Sequence, residues 1–207
     1  ALDLPKGSEV IVPSLTFISS VNVIAYAGLV PVFADINTDS LTISIESIKK
    51  LINKKTSAIL PVHYGGEPCE MEKIIEIARD NHLKVIEDCA HTQGSLYKEK
   101  YLGSWGDVGC FSFEEKKGMT TGDGGMIFTS DKSIAEKAKR LRWLGINKDT
   151  WTRSNIFTKS NWYYEISELG YKYNMNNMAA SLGLSQLKKL KRINTNKSSI
   201  IKKYLQT

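Results

Sequence analysis

Short apolar runs rich in Val and Ile alternate along the chain with segments of helical period. The first, "EVIVPS" from Glu9 to Ser14, has the length and composition of a buried strand. "TFISSVNVIAYAGL" follows as a helix ending near Gly28. "VPVFADI" predicts a second strand, and "SIESIKKLIN" a helix with Ser44 placed to cap it. "SAILPVH" predicts a third strand. In "MEKIIEIARDN" the spacing sets Met71, Ile74, Ile75 and Ala78 on one helical face. "LKVIEDCA", "VGCFSF" and "GGMIFTS" predict the fourth, fifth and sixth strands, and "IAEKAKRLRWLG" a further helix. Repeated β-then-α order implies an α/β fold, a mostly parallel sheet with helices on both faces. The stretch from Asn147 to Tyr164, "NKDTWTRSNIFTKSNWYY", is polar and aromatic-rich without clear period, and reads as a long loop.

Composition narrows the class without naming a chemistry. The 207 residues are 42% hydrophobic and 24% charged, the balance of a soluble globular protein. Apolar runs are strand-sized, so no membrane span is expected. The opening "ALDLPKGSEVIVP" has no basic region followed by a long apolar core, and with no such signal a cytoplasmic location is expected. Cys69, Cys89 and Cys110 are odd in number and lack metal-ligand spacing, which predicts reduced thiols and no metal. The net charge is +6, much of it in "KKLKRINTNKSSIIKK". Leu184, Leu187 and Leu190 are spaced for a buried face opposite those lysines. Aromatic residues for base stacking are scarce there, so a solvated helix face is expected rather than a nucleic-acid site.

Candidate chemistry falls at the carboxyl ends of the predicted strands, where α/β sheets bind ligands. Ser14 follows the first strand, His63 the third, Asp88 the fourth and Ser112 the fifth. Alone, Asp88 reads as a turn or cap residue. "CFSFEEKKGMTTGDGG", Cys110 to Gly125, changes that by placing Lys117 five residues after Ser112 and just before a glycine-rich run. Pyridoxal phosphate asks a protein for two such groups. A lysine amine condenses with its aldehyde, and a carboxylate keeps the pyridine nitrogen protonated so that the ring acts as an electron sink. Ser112 and the loop Gly122 to Gly125 can add hydroxyl and backbone N–H groups for the phosphate.

This ordered set resembles the DegT/StrS-type sugar aminotransferases, pyridoxal 5'-phosphate enzymes of the aspartate-aminotransferase fold. The resemblance covers essentially the whole chain. It is carried by "GSEVIVPSLTFISSVNVIAYAGLVPVFADI", "AILPVHYGGEPCEM", "KVIEDCAHTQGS", "GCFSFEEKKGMTTGDGGMI" and "ELGYKYNMNNMAASLGLSQL". It implies transfer of an amino group, usually from glutamate, to a keto group on a nucleotide-linked sugar, in amino-sugar or surface polysaccharide biosynthesis. By position, Lys117 rather than Lys116 is similar to the family's Schiff-base lysine, and Asp88 to the partner of the pyridine nitrogen. His91 falls where the family has Gln or His near the ring hydroxyl. Ser112 resembles a phosphate ligand, and Phe17 an aromatic that stacks on the cofactor; without the resemblance Phe17 reads as core. His63 matches a recurrent Pro-Val-His and stays open between a structural and a site role.

Two departures from the family pattern stand out. Where many relatives read Gly-x-Asn-Tyr-Arg-Met, this chain has "GYKYNM", so Lys172 and Asn174 replace Asn and Arg. That segment usually reaches the partner subunit's site, which implies a homodimer with shared active sites. The resemblance also implies that residues 1–193 are a large cofactor-binding domain lacking an upstream Ser-Gly-Thr phosphate-binding segment. Residues 194–207 would then start a small C-terminal domain. Two rivals accompany the transaminase reading. One is a sugar dehydratase on the same scaffold, which carries His where Lys117 stands; the other is a non-catalytic cofactor-binding regulator.

Overall fold

The computed structural model describes residues 1–147 and 164–206. The expected loop from Asn147 to Tyr164 therefore lies, apart from its two end residues, outside the described residues. β1 (Glu9–Pro13), β2 (Val30–Ala34), β3 (Thr56–Ile59), β4 (Lys84–Asp88), β7 (Val108–Ser112) and β8 (Gly125–Phe128) form one sheet in the order β2-β1-β3-β4-β7-β8. All pairings are parallel except β7 with β8. The short β5 (Leu96–Tyr97) and β6 (Lys100–Tyr101) make a separate hairpin.

Strand periodicity assigns each side chain to a face. Val10 and Val12 of β1 join Ala58, Leu60 and Val62 in one buried cluster with Ile24 of α1 (Ile18–Tyr26). Ile11 and Ile59, of opposite parity, join a larger cluster on the other face. That cluster takes Ile45 and Ile48 from α2 (Ile45–Leu51) and Met71, Ile74, Ile77 and Ala78 from α3 (Met71–Asp80). The central strands are thus covered on both sides, as parallel strands require, while the edge strand β8 is exposed. Ser44 caps α2 by accepting the Ser47 N–H. On α3 the face is rotated slightly from the expected one: Ile77 is buried, while Ile75 is only partly covered.

β1 has β2 on one side and β3 on the other, so successive crossovers leave it in opposite directions. A crevice opens where they part, at the carboxyl ends of the strands. After β8 come α4 (Lys132–Leu141), capped by Asp131, and α5 (Asn177–Tyr204). α5 is one uninterrupted helix through positions 193 and 194. It meets the rest of the chain at Leu190, which lies against Gly94, and at Asn194, which donates to the Gln93 carbonyl at 3.0 Å. The expected burial of Leu184 and Leu187 is not found: they are 64% and 54% exposed. Helical spacing identified their face, but no described part of this chain covers it.

Candidate active site

A cavity of about 590 Å³ opens at the carboxyl ends of β1, β3, β4 and β7. Phe17, Asp88, His91, Ser112 and Lys117 all line it, brought together from three stretches of the chain. Phe17 precedes α1 and is 74% exposed, so it is not a core residue but an uncovered ring at the cavity. Lys117 sits in a tight turn whose N–H donates to the Glu114 carbonyl at 3.1 Å. Lys116 also lines the cavity, but it is exposed whereas Lys117 is half-buried.

Parity on β4 places Asp88. Val85 packs into the cluster with α2 and α3, and Ile86 against the cluster with α1. Two residues on from Ile86, Asp88 therefore emerges on the α1 side, where the cavity is. Its Oδ2 accepts the Ser20 hydroxyl at 2.7 Å, and its Oδ1 the Ala90 N–H at 3.0 Å. A carboxylate offers about four acceptor positions, so Asp88 keeps acceptor capacity beyond these two bonds. The backbone under it is pinned as well, its N–H to the Pro61 carbonyl and its C=O to the His63 N–H.

His91 follows in the same loop. Its Nδ1 accepts the Gly65 N–H at 3.2 Å, and Tyr64 meets its ring edge-on at 6.2 Å. Burial, and then the Lys117 ammonium, hold its imidazole below the ordinary value, with Asp88 opposing. Ser112 ends β7, and its carbonyl accepts from the Gln93 side chain at 2.7 Å.

Glu87 points the other way and is fully buried with His63. Its two oxygens accept His63 Nε2 at 3.2 Å and the N–H groups of Gly103, Trp105 and Gly106 at 2.8, 2.7 and 2.8 Å. Because His63 Nδ1 accepts the Cys69 N–H, the ring carries its hydrogen on Nε2. Burial alone raises the Glu87 carboxyl, but the His63 bond and the Gly106 and Gly103 amides outweigh it and leave it below its ordinary value. The loop giving these amides lies hard against β7: a Cβ on Gly109 would stand 2.2 Å from the Gly103 carbonyl oxygen. His63, Glu87 and Cys89 have ligand atoms close enough for a metal. Both His63 nitrogens and both Glu87 oxygens are already committed, and burial raises the Cys89 thiol. The trio does not fit a metal centre.

Three placements differ from the cavity set. Lys172 lies with its ammonium 3.4 Å from the centroid of the Trp143 ring, a cation–π contact outside the cavity lining. Asn174 lines a separate hollow with Asp123, Gly124 and Gly125. The loop from Gly122 to Gly125 thus does not line the cavity, contrary to its expected phosphate role. Its glycines serve the chain reversal instead: a Cβ on Gly125 would stand 2.7 Å from the Phe111 carbonyl oxygen. Sequence reasoning passed over Thr16, Ser20, Tyr64 and Gln93. Thr16 and Ser20 follow β1 within "SLTFISS", four residues apart, a spacing that on a helix start was the available signal.

Known proteins resemble this chain in sequence and in fold. The chain is 47% identical over 204 residues to an uncharacterized protein of Methanocaldococcus jannaschii, covering 99% of the chain and 52% of that protein. It is 41% identical over 187 residues to GDP-perosamine synthase of Escherichia coli O157:H7, covering 90% and 48%. The structure of Helicobacter pylori PseC, an aminotransferase involved in the biosynthesis of pseudoaminic acid, superposes with a TM-score of 0.80 at 31% identity, covering 89% of this chain and 47% of PseC. The chain thus spans about half the length of the curated relatives it matches. The model of the DegT/DnrJ/EryC1/StrS aminotransferase family matches residues 1–207, and the chain belongs to that family.

Proposed function

We propose that this chain forms the cofactor-binding part of a pyridoxal-phosphate enzyme that moves an amino group, from glutamate, to a keto group of a nucleotide-linked sugar. The observation that carries the reading is the convergence of a lysine, a carboxylate and an uncovered aromatic ring on one cavity. The donor set fits pyridoxal phosphate: Lys117 for its aldehyde, Asp88 for its pyridine nitrogen, Phe17 for its ring face, and Ser112 for its phosphate. When bound, the cofactor supplies an electron sink for a carbanion next to nitrogen.

The chain's own residues do the rest. Asp88 holds a proton on the ring nitrogen, its orientation fixed by Ser20 and Ala90. The Lys117 amine, once free, carries a proton between the two carbons whose bonding to nitrogen changes, acting as general acid and base. His91 stands beside the ring at the same cavity, and Phe17 keeps water from one face. Lys172 and Asn174, away from this cavity in their own chain, are proposed to reach the cavity of a second copy in a homodimer. The family resemblance supports that assembly, a cytoplasmic location, and a place in amino-sugar or surface polysaccharide synthesis.

The test is chemical. The full-length protein is loaded with pyridoxal phosphate, reduced with borohydride and mapped by peptide mass. A pyridoxyl group on Lys117 is the expected result. A label on Lys116, or none, would overturn the assignment.

A further inference from the structure

Two hydroxyls stand behind Asp88. Ser20 is in the first turn of α1, is 5% exposed, and donates to Asp88 Oδ2 at 2.7 Å. Having given its only hydrogen to Asp88, its oxygen is free to accept, and it accepts the Thr16 hydroxyl at 3.0 Å. The bonds run in one direction, Thr16 to Ser20 to Asp88, and such a chain polarises each link toward its negative end. α1 has no acidic residue in its first turn. A carboxylate reaches its first turn from β4, 68 residues away in sequence, where the helix dipole favours an anion.

A carboxylate turns readily about its last side-chain bond, with a broad, two-fold preference. Here two donors hold different oxygens, Ser20 on Oδ2 and the Ala90 N–H on Oδ1. Both are themselves fixed, Ser20 by the helix and Ala90 by the loop leaving β4. We propose that the Thr16–Ser20 hydroxyl pair is a positioning device that locks the plane of Asp88 toward the cavity, so that the bound ring nitrogen meets an acceptor already in place. The proposal rests on the functional reading above, since it assigns Asp88 a ring nitrogen to face. Ser20 acts through Asp88 and is a positioning residue; Thr16 aims Ser20.

The full-length protein distinguishes the two ideas. Affinity for pyridoxal phosphate is measured by absorbance titration in wild type, Ser20→Ala, Ser20→Thr, Asp88→Asn and the Ser20→Ala/Asp88→Asn double variant, with kcat and KM for glutamate alongside. A hydrogen bond to a charged group is worth roughly a tenfold change in an equilibrium. Ser20→Ala should weaken cofactor binding about tenfold and lower kcat, with KM for glutamate moving less than about twofold. Ser20→Thr keeps the hydroxyl and should restore affinity to within about twofold of wild type. In the Asp88→Asn background, Ser20→Ala should add little, because the group it positions is already altered. Thr16→Val, which removes only the outer hydroxyl, should show the same pattern at a fraction of the size, and it decides the matter if Ser20→Ala fails to fold. Equal losses from Ser20→Ala in both backgrounds, or unchanged affinity in a folded Ser20→Ala, overturns the positioning role while leaving the functional reading intact. A wild-type protein that takes up no pyridoxal phosphate overturns the functional reading, and this inference with it.

Discussion

Glu87 and Asp88 are neighbours in the chain and opposites in the structure. Glu87 lies on the α2 and α3 side of the sheet, fully buried, with four donors on its two oxygens. Asp88 lies on the α1 side, half-buried at a cavity, with two donors and acceptor capacity to spare. A saturated carboxylate can hold a loop in place but has nothing left to offer a ligand. An unsaturated one costs stability in the empty protein, and water or a ligand must complete it. The pair separates architecture from chemistry by one residue. Glu87 ties β4 to His63 and to the loop from Gly103 to Gly106, and on that anchored frame Asp88 is left open.

The sharpest way to break this comparison is Glu87→Gln in the full-length protein. The amide has one acceptor oxygen and presents N–H hydrogens to N–H donors, so at least one buried backbone donor loses its partner. The expected loss of unfolding free energy is on the order of 3 kcal/mol, read by chemical denaturation. A loss under about 1 kcal/mol would mean that the four bonds are not what holds the loop.

Asp88→Asn should do the reverse. Fold and cofactor uptake should persist, while the amino-transfer rate falls at least roughly a hundredfold, equivalent to about 2.7 kcal/mol of barrier. Stopped-flow measurement of the reaction with glutamate reads this directly. A near-normal rate would hand the ring nitrogen to another group and erase the functional half of the contrast.

A third experiment follows the pH. Glu87 is held below its ordinary value, so its share of stability is fully present above the ordinary carboxylate range and is lost as pH falls through its lower folded value. Unfolding midpoints recorded from neutral to acid pH should show this loss in wild type, and the slope should flatten in Glu87→Gln. A Glu87 that titrates above the ordinary carboxylate range would contradict the four-donor assignment.

The smallest expected effect is on His91, which faces the open side. The Lys117 ammonium contributes to its lowered value, after burial. In the cofactor-free protein, Lys117→Ala should move the His91 titration upward while burial still holds it below the ordinary imidazole value, as followed by NMR of the imidazole. A downward shift would place the two side chains apart.

Much of this was legible in the residues themselves. The run of β-then-α segments put Asp88 at the carboxyl end of a strand, where it stands. Lys117 and Ser112 could be placed because their spacing survives folding, on a strand and the turn that leaves it. What could not be read was whatever depends on a meeting of distant segments. Ser20 finds Asp88 only because α1 packs over β4, and no local pattern reports that. The glycine run looked like a phosphate loop because a close approach was expected, but the atoms approached are Phe111's own backbone. Leu184 and Leu187 showed the right period, but period tells which face is apolar and not what covers it.

The strand parity that separates the two acids also says which genetic changes the site can absorb. Substitutions at β4 act one side chain at a time. Insertion or deletion of a single residue between Val85 and Glu87 would turn every later side chain of the strand to the other face. It would turn the Asp88 carboxylate toward the amides of Gly103, Trp105 and Gly106 and the Glu87 carboxylate away from them. Lineages of this protein should therefore accumulate length changes in the β5–β6 hairpin, which stands apart from the main sheet, and essentially none within the five residues of β4.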